Sequence, residues 1–270
     1  MLTPDTLGHY HDFARGLARE CGFIARRHFS LDMAVQTKSD NTPVTEADLE
    51  INRLVVERCR QAFPGVGVIG EEESLPGETN LTWVCDPIDG TGPYTFGMSA
   101  STFCLALVED GVPVIGIIYD FMHERMYHAI RGGGAFINDL PFSVPVDVSP
   151  MPRVNLEWWR NAVVQTKDLH EAFFERGYQV PNYTSSGYIG MQVAQGRLAG
   201  QVYMGSCVWD VAALKVVADE AGLRTGDIDG KEQRYDGDVR GLICAHPRHY
   251  EVILDVITEA HSASGQPGGR

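Results

Sequence analysis

The sequence predicts a mixed chain, with an α+β first half of two helices on a largely antiparallel sheet and a smaller α/β lobe after it. Three observations support this. Apolar and small residues recur at helical spacing from Leu7 to His28 and again from Thr45 to Phe63. After Gly65 the texture changes to short apolar runs that end in acidic or glycine-rich turns. Beyond Pro152 short apolar runs alternate with helical patterns, as an α/β unit requires.

In the first helix Tyr10, Phe13, Ala14, Leu17, Cys21, Ile24 and Ala25 form one stripe, leaving Arg15, Arg19, Glu20 and Arg26 for water. The polar stretch Gln36–Pro43 reads as a loop or short exposed turn. The second helix starts near Thr45, runs through Leu49, Val55 and Cys59 to Phe63, and ends at Pro64-Gly65. Strands are expected at Val66–Ile69 and Leu81–Cys85, with Pro87 stopping the second ladder. Phe103–Val108 and Val112–Tyr119 are joined by the hairpin turn Glu109-Asp110-Gly111, and Met126–Ile130 continues the sheet. Prolines crowd the region Asp139–Pro152, which marks a lobe boundary. The predicted division is therefore residues 1–140, residues 141–261 and a tail at 262–270. Strands of the second lobe are expected at Ala162–Gln165, Gln201–Met204 and Gly241–Ala245. Its helices are expected at Asp168–Arg176, Gly187–Gly196, Val211–Ala221 and Arg248–Ala260.

Composition narrows the function. The 270 residues can bury a sizeable core, and 44% hydrophobic against 21% charged residues is an ordinary globular balance. A net charge of −14 and a pI near 5.0 argue against coating a nucleic-acid polymer. A bound divalent cation inverts such a field locally, so an anionic small molecule remains a fitting partner. No apolar stretch reaches membrane-span length, and the opening residues lack the basic-then-apolar order of a signal peptide. A soluble, cytoplasmic protein is expected. Cys21, Cys59, Cys85, Cys104, Cys207 and Cys244 are scattered without a metal-binding spacing and are expected to be reduced thiols; no HExxH occurs.

The chemistry concentrates in Trp83–Thr91. A β-run delivers Asp86 at its end, and Asp89 returns three residues later with the Ile88 carbonyl between them. Hard oxygen ligands crowded at a strand end suit Mg²⁺ or Ca²⁺. The loop Gly90-Thr91-Gly92-Pro93 then enters a helix, an arrangement that can hold an anion. Alone, Asp-Gly is a common turn dipeptide and Asp210 reads as a helix cap. Context changes the reading, because the acidic cluster Glu71-Glu72-Glu73 also follows an apolar strand and Trp209-Asp210-Val211-Ala212-Ala213 opens another helix.

Gly70-Glu71-Glu72, the run Trp83–Gly97 and Trp209–Ala213 resemble the inositol monophosphatase family of metal-dependent phosphatases, in order and in separation. Gly132–Asn138 resembles a further family segment. The resemblance implies a layered α-β-α-β-α sandwich of the inositol monophosphatase/fructose bisphosphatase type, and a homodimer. It implies two or three Mg²⁺ ions, with Glu71, Asp86 and the Ile88 carbonyl at one and Asp86, Asp89 and Asp210 at another. Glu71 would also orient the attacking water, and Thr91, held by Asp48, would align or deprotonate it. Gly90 and Thr91 would receive the phosphate through their amides, and Lys38 matches a family lysine near the site. Thr45-x-x-Asp48 is also a helix-capping pattern, and both roles are compatible. Glu72 and Glu73 are expected to be solvated or secondary.

By position in the family pattern, Ser185, Ser186, Gly187 and Tyr203 are the expected substrate-pocket residues. Two departures bear on the substrate. Inositol-specific members commonly carry an acid before the Met-Gly, where this chain has Tyr203, and Gly92-Pro93 replaces the polar residues usual after Asp-Gly-Thr. The expected activity is hydrolysis of a small phosphorylated metabolite, namely inositol monophosphate or a similar polyol or sugar phosphate. Alternatives are histidinol phosphate, a 3′-nucleotide or fructose bisphosphate. A non-catalytic metal- and phosphate-binding regulator is the alternative of a different class.

Overall fold

The computed structural model describes residues 2–38, 43–157 and 169–263. The expected strand Ala162–Gln165 and the tail from residue 264 lie outside them. Helix α1 (Pro4–His28) opens on Thr3, whose hydroxyl accepts the Thr6 N–H, and closes on Arg26, Arg27 and His28, which complement the helix dipole. The stretch expected as a loop instead supplies β1 (Val35–Thr37), which pairs antiparallel with β2 (Pro43–Thr45). An exposed polar strand carries no hydrophobic alternation, so only its backbone pairing defines it. Helix α2 (Glu46–Ala62) follows directly.

Next come β3 (Gly67–Gly70), β4 (Leu81–Asp89), the short helix α3 (Thr91–Thr95), β5 (Thr102–Glu109) and β6 (Val112–Asp120). Strands β7 (Arg125–Ile130), β8 (Ala135–Ile137) and β9 (Leu140–Phe142) complete a seven-stranded sheet whose spatial order is the chain order. Every pair in it is antiparallel except β3–β4. The β5–β6 turn places both Asp110 and Gly111 at positive φ, 52° and 82°, as the twist of a tight hairpin demands.

The rest of the chain contains β10 (Val154–Glu157), α4 (Leu169–Glu175), α5 (Ser186–Ala194), β11 (Gly200–Tyr203) and a 3₁₀ turn at Val208–Asp210. Then follow α6 (Ala212–Ala221), β12 (Arg224–Gly226), β13 (Leu242–Ala245) and α7 (Tyr250–Ala263). The second sheet has the order β10-β11-β13-β12, with β10–β11 its parallel pair.

Packing stacks these parts in five layers. Helices α1 and α2 cover one face of the large sheet, α5 and α6 lie between the two sheets, and α7 with α4 covers the far side. This is the expected α-β-α-β-α sandwich. Strand β5 shows why its sequence reads as a continuous apolar run: Phe103, Leu105 and Leu107 enter the core under α1, while Cys104, Ala106 and Val108 enter the core under α6. All six cysteines are free thiols, five of them buried. Among the described residues, no helix is long and apolar enough to cross a membrane.

One local departure matters for the site. Pro87 does not stop β4; the strand runs on to Asp89 with a break in register. Asp86 pairs with Cys104 and Asp89 with Thr102, so Pro87 and Ile88 together oppose Phe103 alone. Proline is tolerated at such a bulge because the ladder is already interrupted. On a regular strand, side chains three residues apart point to opposite faces. The extra residue brings Asp86 and Asp89 to the same side.

Strand β6 passes close beneath α6 at Gly116, where an added Cβ would lie 2.5 Å from the Ala213 carbonyl oxygen and 3.1 Å from Val216 Cβ. Backbone cannot yield as a side-chain tip can. We expect Gly116→Ala to lower stability by about 1–3 kcal/mol in denaturant unfolding, as overpacking of a close contact does.

Candidate active site

Asp86, Asp89 and Asp210 offer carboxylate oxygens that lie within 4.8 Å of one another. Asp86 and Asp89 come from the bulged end of β4, and Asp210 from the 3₁₀ turn before α6. Asp89 is held by neutral donors. Ser185 Oγ, Thr102 Oγ1 and the Gly187 N–H reach its Oδ2 at 2.5, 2.7 and 3.0 Å. Asp210 accepts the Tyr203 hydroxyl on its Oδ2. Asp86 Oδ1 is buried and has no hydrogen-bond partner. Burial foremost, then the like charges of Glu71, Asp89 and Asp210, push the Asp86 carboxyl far above the ordinary carboxylate range. Burial raises Asp89 and Asp210 as well, against the hydrogen bonds that favour their charged forms.

A second acidic group, Asp48, Glu71 and Glu72, also has carboxylate oxygens within 4.8 Å of one another. Asp48 stands at the third position of α2, where its Oδ2 accepts the Thr45 N–H at 2.8 Å and the Thr45 hydroxyl at 2.6 Å. Its Oδ1 faces Thr91 Oγ1 at 3.4 Å, and that hydroxyl also lies 3.1 Å from the Ile88 carbonyl oxygen. Helix cap and site contact therefore coexist in one side chain. Burial pushes the Asp48 carboxyl up to about 7, against the two Thr45 hydrogen bonds. Lys38 Nζ bridges Glu71 at 2.6 Å and Glu72 at 2.5 Å. Burial alone would lower the Lys38 pKa, but the two glutamates more than offset it and hold the ammonium form.

Glu72 is thus a member of the cluster, contrary to the expectation that it is solvated; only Glu73 is exposed. The reason lies in Asn52. Its Oδ1 accepts the Glu72 N–H at 3.3 Å and its Nδ2 donates to the Glu73 carbonyl at 2.9 Å, pinning the loop after β3 onto α2. Gly70 permits this approach, since a Cβ there would overlap Asn52. Asn52 falls one helical turn after Asp48 on the buried face of α2, and a polar residue on an apolar stripe is the signal that could have found it. Thr102, at the start of β5, is a further Asp89 donor that no local sequence pattern marks.

The four expected substrate-pocket residues lie together beside the acidic cluster. Ser185, Ser186, Gly187 and Tyr203 are all buried, and their polar groups are taken up by carboxylates. Ser185 and Gly187 hold Asp89, Ser186 Oγ donates to Glu157 at 2.7 Å, and Tyr203 holds Asp210. Gly187 has no room for a side chain, because a Cβ would lie 2.7 Å from both Cys104 Sγ and Thr102 Oγ1. Each of the four thus engages a carboxylate, Asp89, Glu157 or Asp210. Glu157 at the end of β10 is a further buried carboxylate there, raised by burial first and then by Asp89 and Asp210.

Gly90 turns the chain from β4 into α3 at φ 83°, in the left-handed region that glycine adopts without strain. A Cβ there would also meet Ser185 Cβ at 2.7 Å. The turn thus sets Thr91 beside Asp48 on one side and brings Asp89 against Ser185 on the other. The donor set is all oxygen, crowded, partly orphaned and acidic, which fits a hard divalent cation of the Mg²⁺ or Ca²⁺ type.

Comparison with known proteins agrees with this geometry. The model of the inositol monophosphatase family matches residues 7–262. The inositol-1-monophosphatase of Bacillus subtilis is 27% identical over 227 residues, spanning 82% of this chain and 86% of that protein. The histidinol-phosphatase of Mycobacterium tuberculosis is 33% identical over 227 residues, spanning 80% and 86%. Among solved structures, an IMPase of Thermotoga maritima superimposes with a TM-score of 0.82 at 25% identity, over 94% of this chain and 98% of that one. With its acidic clusters, five-layer architecture and a family match over residues 7–262, the chain belongs to the inositol monophosphatase family of phosphatases.

Proposed function

We propose that the chain hydrolyses the phosphate monoester of a small polar alcohol, with Mg²⁺ held by Glu71, Asp86, the Ile88 carbonyl, Asp89 and Asp210. The observation that carries this reading is the pair of acidic groups, one touching Thr91 through Asp48 and the other with an orphaned Asp86 oxygen. Bound Mg²⁺, two or three ions by family resemblance, would neutralise phosphate oxygens and acidify water. The protein's own part is positioning. Ionised Asp48 accepts from the Thr91 hydroxyl, leaving the threonine oxygen free to accept a hydrogen bond from the attacking water and so align it. Glu71, in the same acidic group as Asp48, orients the same water. The amides of Gly90 and Thr91 receive the phosphate, and Lys38 adds positive charge at the mouth of the acidic group. The working unit is read as a cytoplasmic homodimer on family resemblance alone.

Inositol monophosphate or a similar polyol or sugar phosphate is the substrate class proposed. Histidinol phosphate is the second reading, supported by the 33% identical relative of that name and by Tyr203, an uncharged residue where inositol-specific members commonly carry an acid. The test is phosphate release from inositol 1-phosphate, histidinol phosphate, fructose 1,6-bisphosphate and adenosine 3′,5′-bisphosphate, with Mg²⁺ and then with EDTA. One compound should turn over well above the rest, only with Mg²⁺, and Asp89→Asn should lower that rate by about 100-fold or more while remaining folded. Silence across the panel from folded protein that binds Mg²⁺ would favour the non-catalytic regulator.

The same cluster fixes a pH dependence. Asp48, Asp86, Asp89 and Asp210 all have folded-state pKa values above the ordinary 3.8, with Asp48 at about 7. Between those values the folded, metal-free protein binds more protons than the unfolded chain, so stability falls as pH rises. Melting in EDTA should therefore give a lower Tm at pH 8 than at pH 5, beyond what the rest of the chain contributes in an Asp86→Asn control. Adding Mg²⁺ should raise the Tm more at pH 8 than at pH 5. Equal EDTA melts at the two pH values, in wild type and control alike, would contradict the burial of these carboxyls.

A further inference from the structure

If Asp210 is a Mg²⁺ ligand, as the proposed function reads it, the residue that holds it is Tyr203. Tyr203 closes β11 and is 1% exposed. Its hydroxyl donates to Asp210 Oδ2 and accepts the Cys207 N–H at 3.1 Å, so the ring spans the base of the loop from 203 to 210. Gly205 lies against that ring: a Cβ there would sit 2.5 Å from Tyr203 Cζ and overlap the hydroxyl. The loop is tied from outside by the Gly241 N–H to the Gly205 carbonyl at 3.1 Å and the Val239 N–H to the Ser206 carbonyl at 2.9 Å.

Asp210 needs such a hold. It is presented by a single 3₁₀ turn, and the terminal torsion of an aspartate is broad and roughly two-fold, so the side chain is not fixed by its own rotamer. A donor on Oδ2 selects one orientation and so fixes how Asp210 presents its carboxylate beside Asp86 and Asp89. The donor must also be neutral. A carboxylate at position 203 would add charge beside Asp210 and Glu157, whereas a phenol supplies a proton and no charge. With its hydroxyl committed and its ring buried, Tyr203 has no group left for a substrate.

We propose that Tyr203 is a positioning residue that sets the geometry of the Asp86–Asp89–Asp210 cation site through Asp210, and is not a substrate contact. Residues that hydrogen-bond to metal ligands typically govern metal affinity by about 10–100-fold. The experiment compares metal-stripped wild type, Tyr203→Phe and Gly205→Ala by Mg²⁺ titration calorimetry. It adds the KM at saturating Mg²⁺ for whichever panel compound turns over. Tyr203→Phe removes the donor, and Gly205→Ala displaces it without removing it. Tyr127→Phe, which deletes a buried hydroxyl that accepts from Gln195 and belongs to neither acidic group's hydrogen bonds, controls for loss of any buried tyrosine hydroxyl. The expected result is Mg²⁺ binding weakened about 10-fold or more in both site variants and unchanged in the control, with KM unchanged. Should Tyr203→Phe fail to fold, Gly205→Ala carries the same comparison. Unaltered Mg²⁺ affinity in the folded variants, or a raised KM without a change in affinity, overturns the proposal. A wild type that binds no Mg²⁺ would instead overturn the underlying reading of Asp210, which keeps the two failures distinct.

Discussion

The structure is organised around one electrostatic problem: three aspartates at a strand end and a helix start, with a glutamate close enough to be felt by two of them. Buried carboxylates without a cation are costly, because water's solvation is lost and mutual repulsion is strengthened in a low dielectric. Evolution of a purely structural core would have removed them. Their retention, each with supporting donors or an orphaned oxygen, is what a site built for a cation looks like. The five-layer architecture provides the setting, since the cluster sits where the large sheet, the middle helices and the second sheet meet.

Local backbone chemistry solves the geometric part. A spacing of three along a strand is wrong for two side chains that must converge, and the Pro87–Ile88 bulge corrects it by one residue. Gly90 then turns the chain at a φ that other residues reach only with strain, so Thr91 lands beside Asp48 while Asp89 stays against Ser185. Gly187 lets its own N–H approach Asp89 with no side chain in the way. Each of these backbone features would be an oddity in isolation. Together they place ligands from distant parts of the chain around a common centre.

The sequence discloses the parts of this design that depend on order along the chain. Asp86, Asp89, Glu71 and Asp210 are separated acids that each follow an apolar run or open a helix, and the spacing of those blocks carries the family resemblance. Helices α1 and α2 were legible for the same reason, because amphipathic periodicity is a local property. The contacts that are not local stayed hidden. Asn52 on α2 and Thr102 on β5 act on loops and carboxylates that only the tertiary fold brings near. Ser185, Ser186 and Gly187 show the limit from the other side: their place in the pattern points to the site, but a linear pattern does not name the carboxylates they hold, Asp89 and Glu157. Strand β1 was missed because an exposed, polar strand is defined by its partner and by nothing in its own composition.

The donors also follow a rule that links folding to function. At Asp89 the hydroxyls of Ser185 and Thr102 and the Gly187 N–H converge on Oδ2, at Asp48 both Thr45 groups meet Oδ2, and at Asp210 Tyr203 meets Oδ2. At Asp48 the other oxygen is the one that faces Thr91. Fold and chemistry thus divide a single carboxylate between them. The choice of neutral donors is essential to that division. An arginine at any of these places would have formed a charge-assisted pair and quenched the negative field. Hydroxyls and backbone amides orient the oxygens and stabilise the charged form, yet leave the charge itself for a cation. Lys38 is placed to fit the same logic, since it answers Glu71 and Glu72 on the outer group and not the three aspartates of the inner one. The inner cluster therefore keeps its full demand for a divalent ion, which is why an acidic chain can recruit an anionic phosphate ester at this one place.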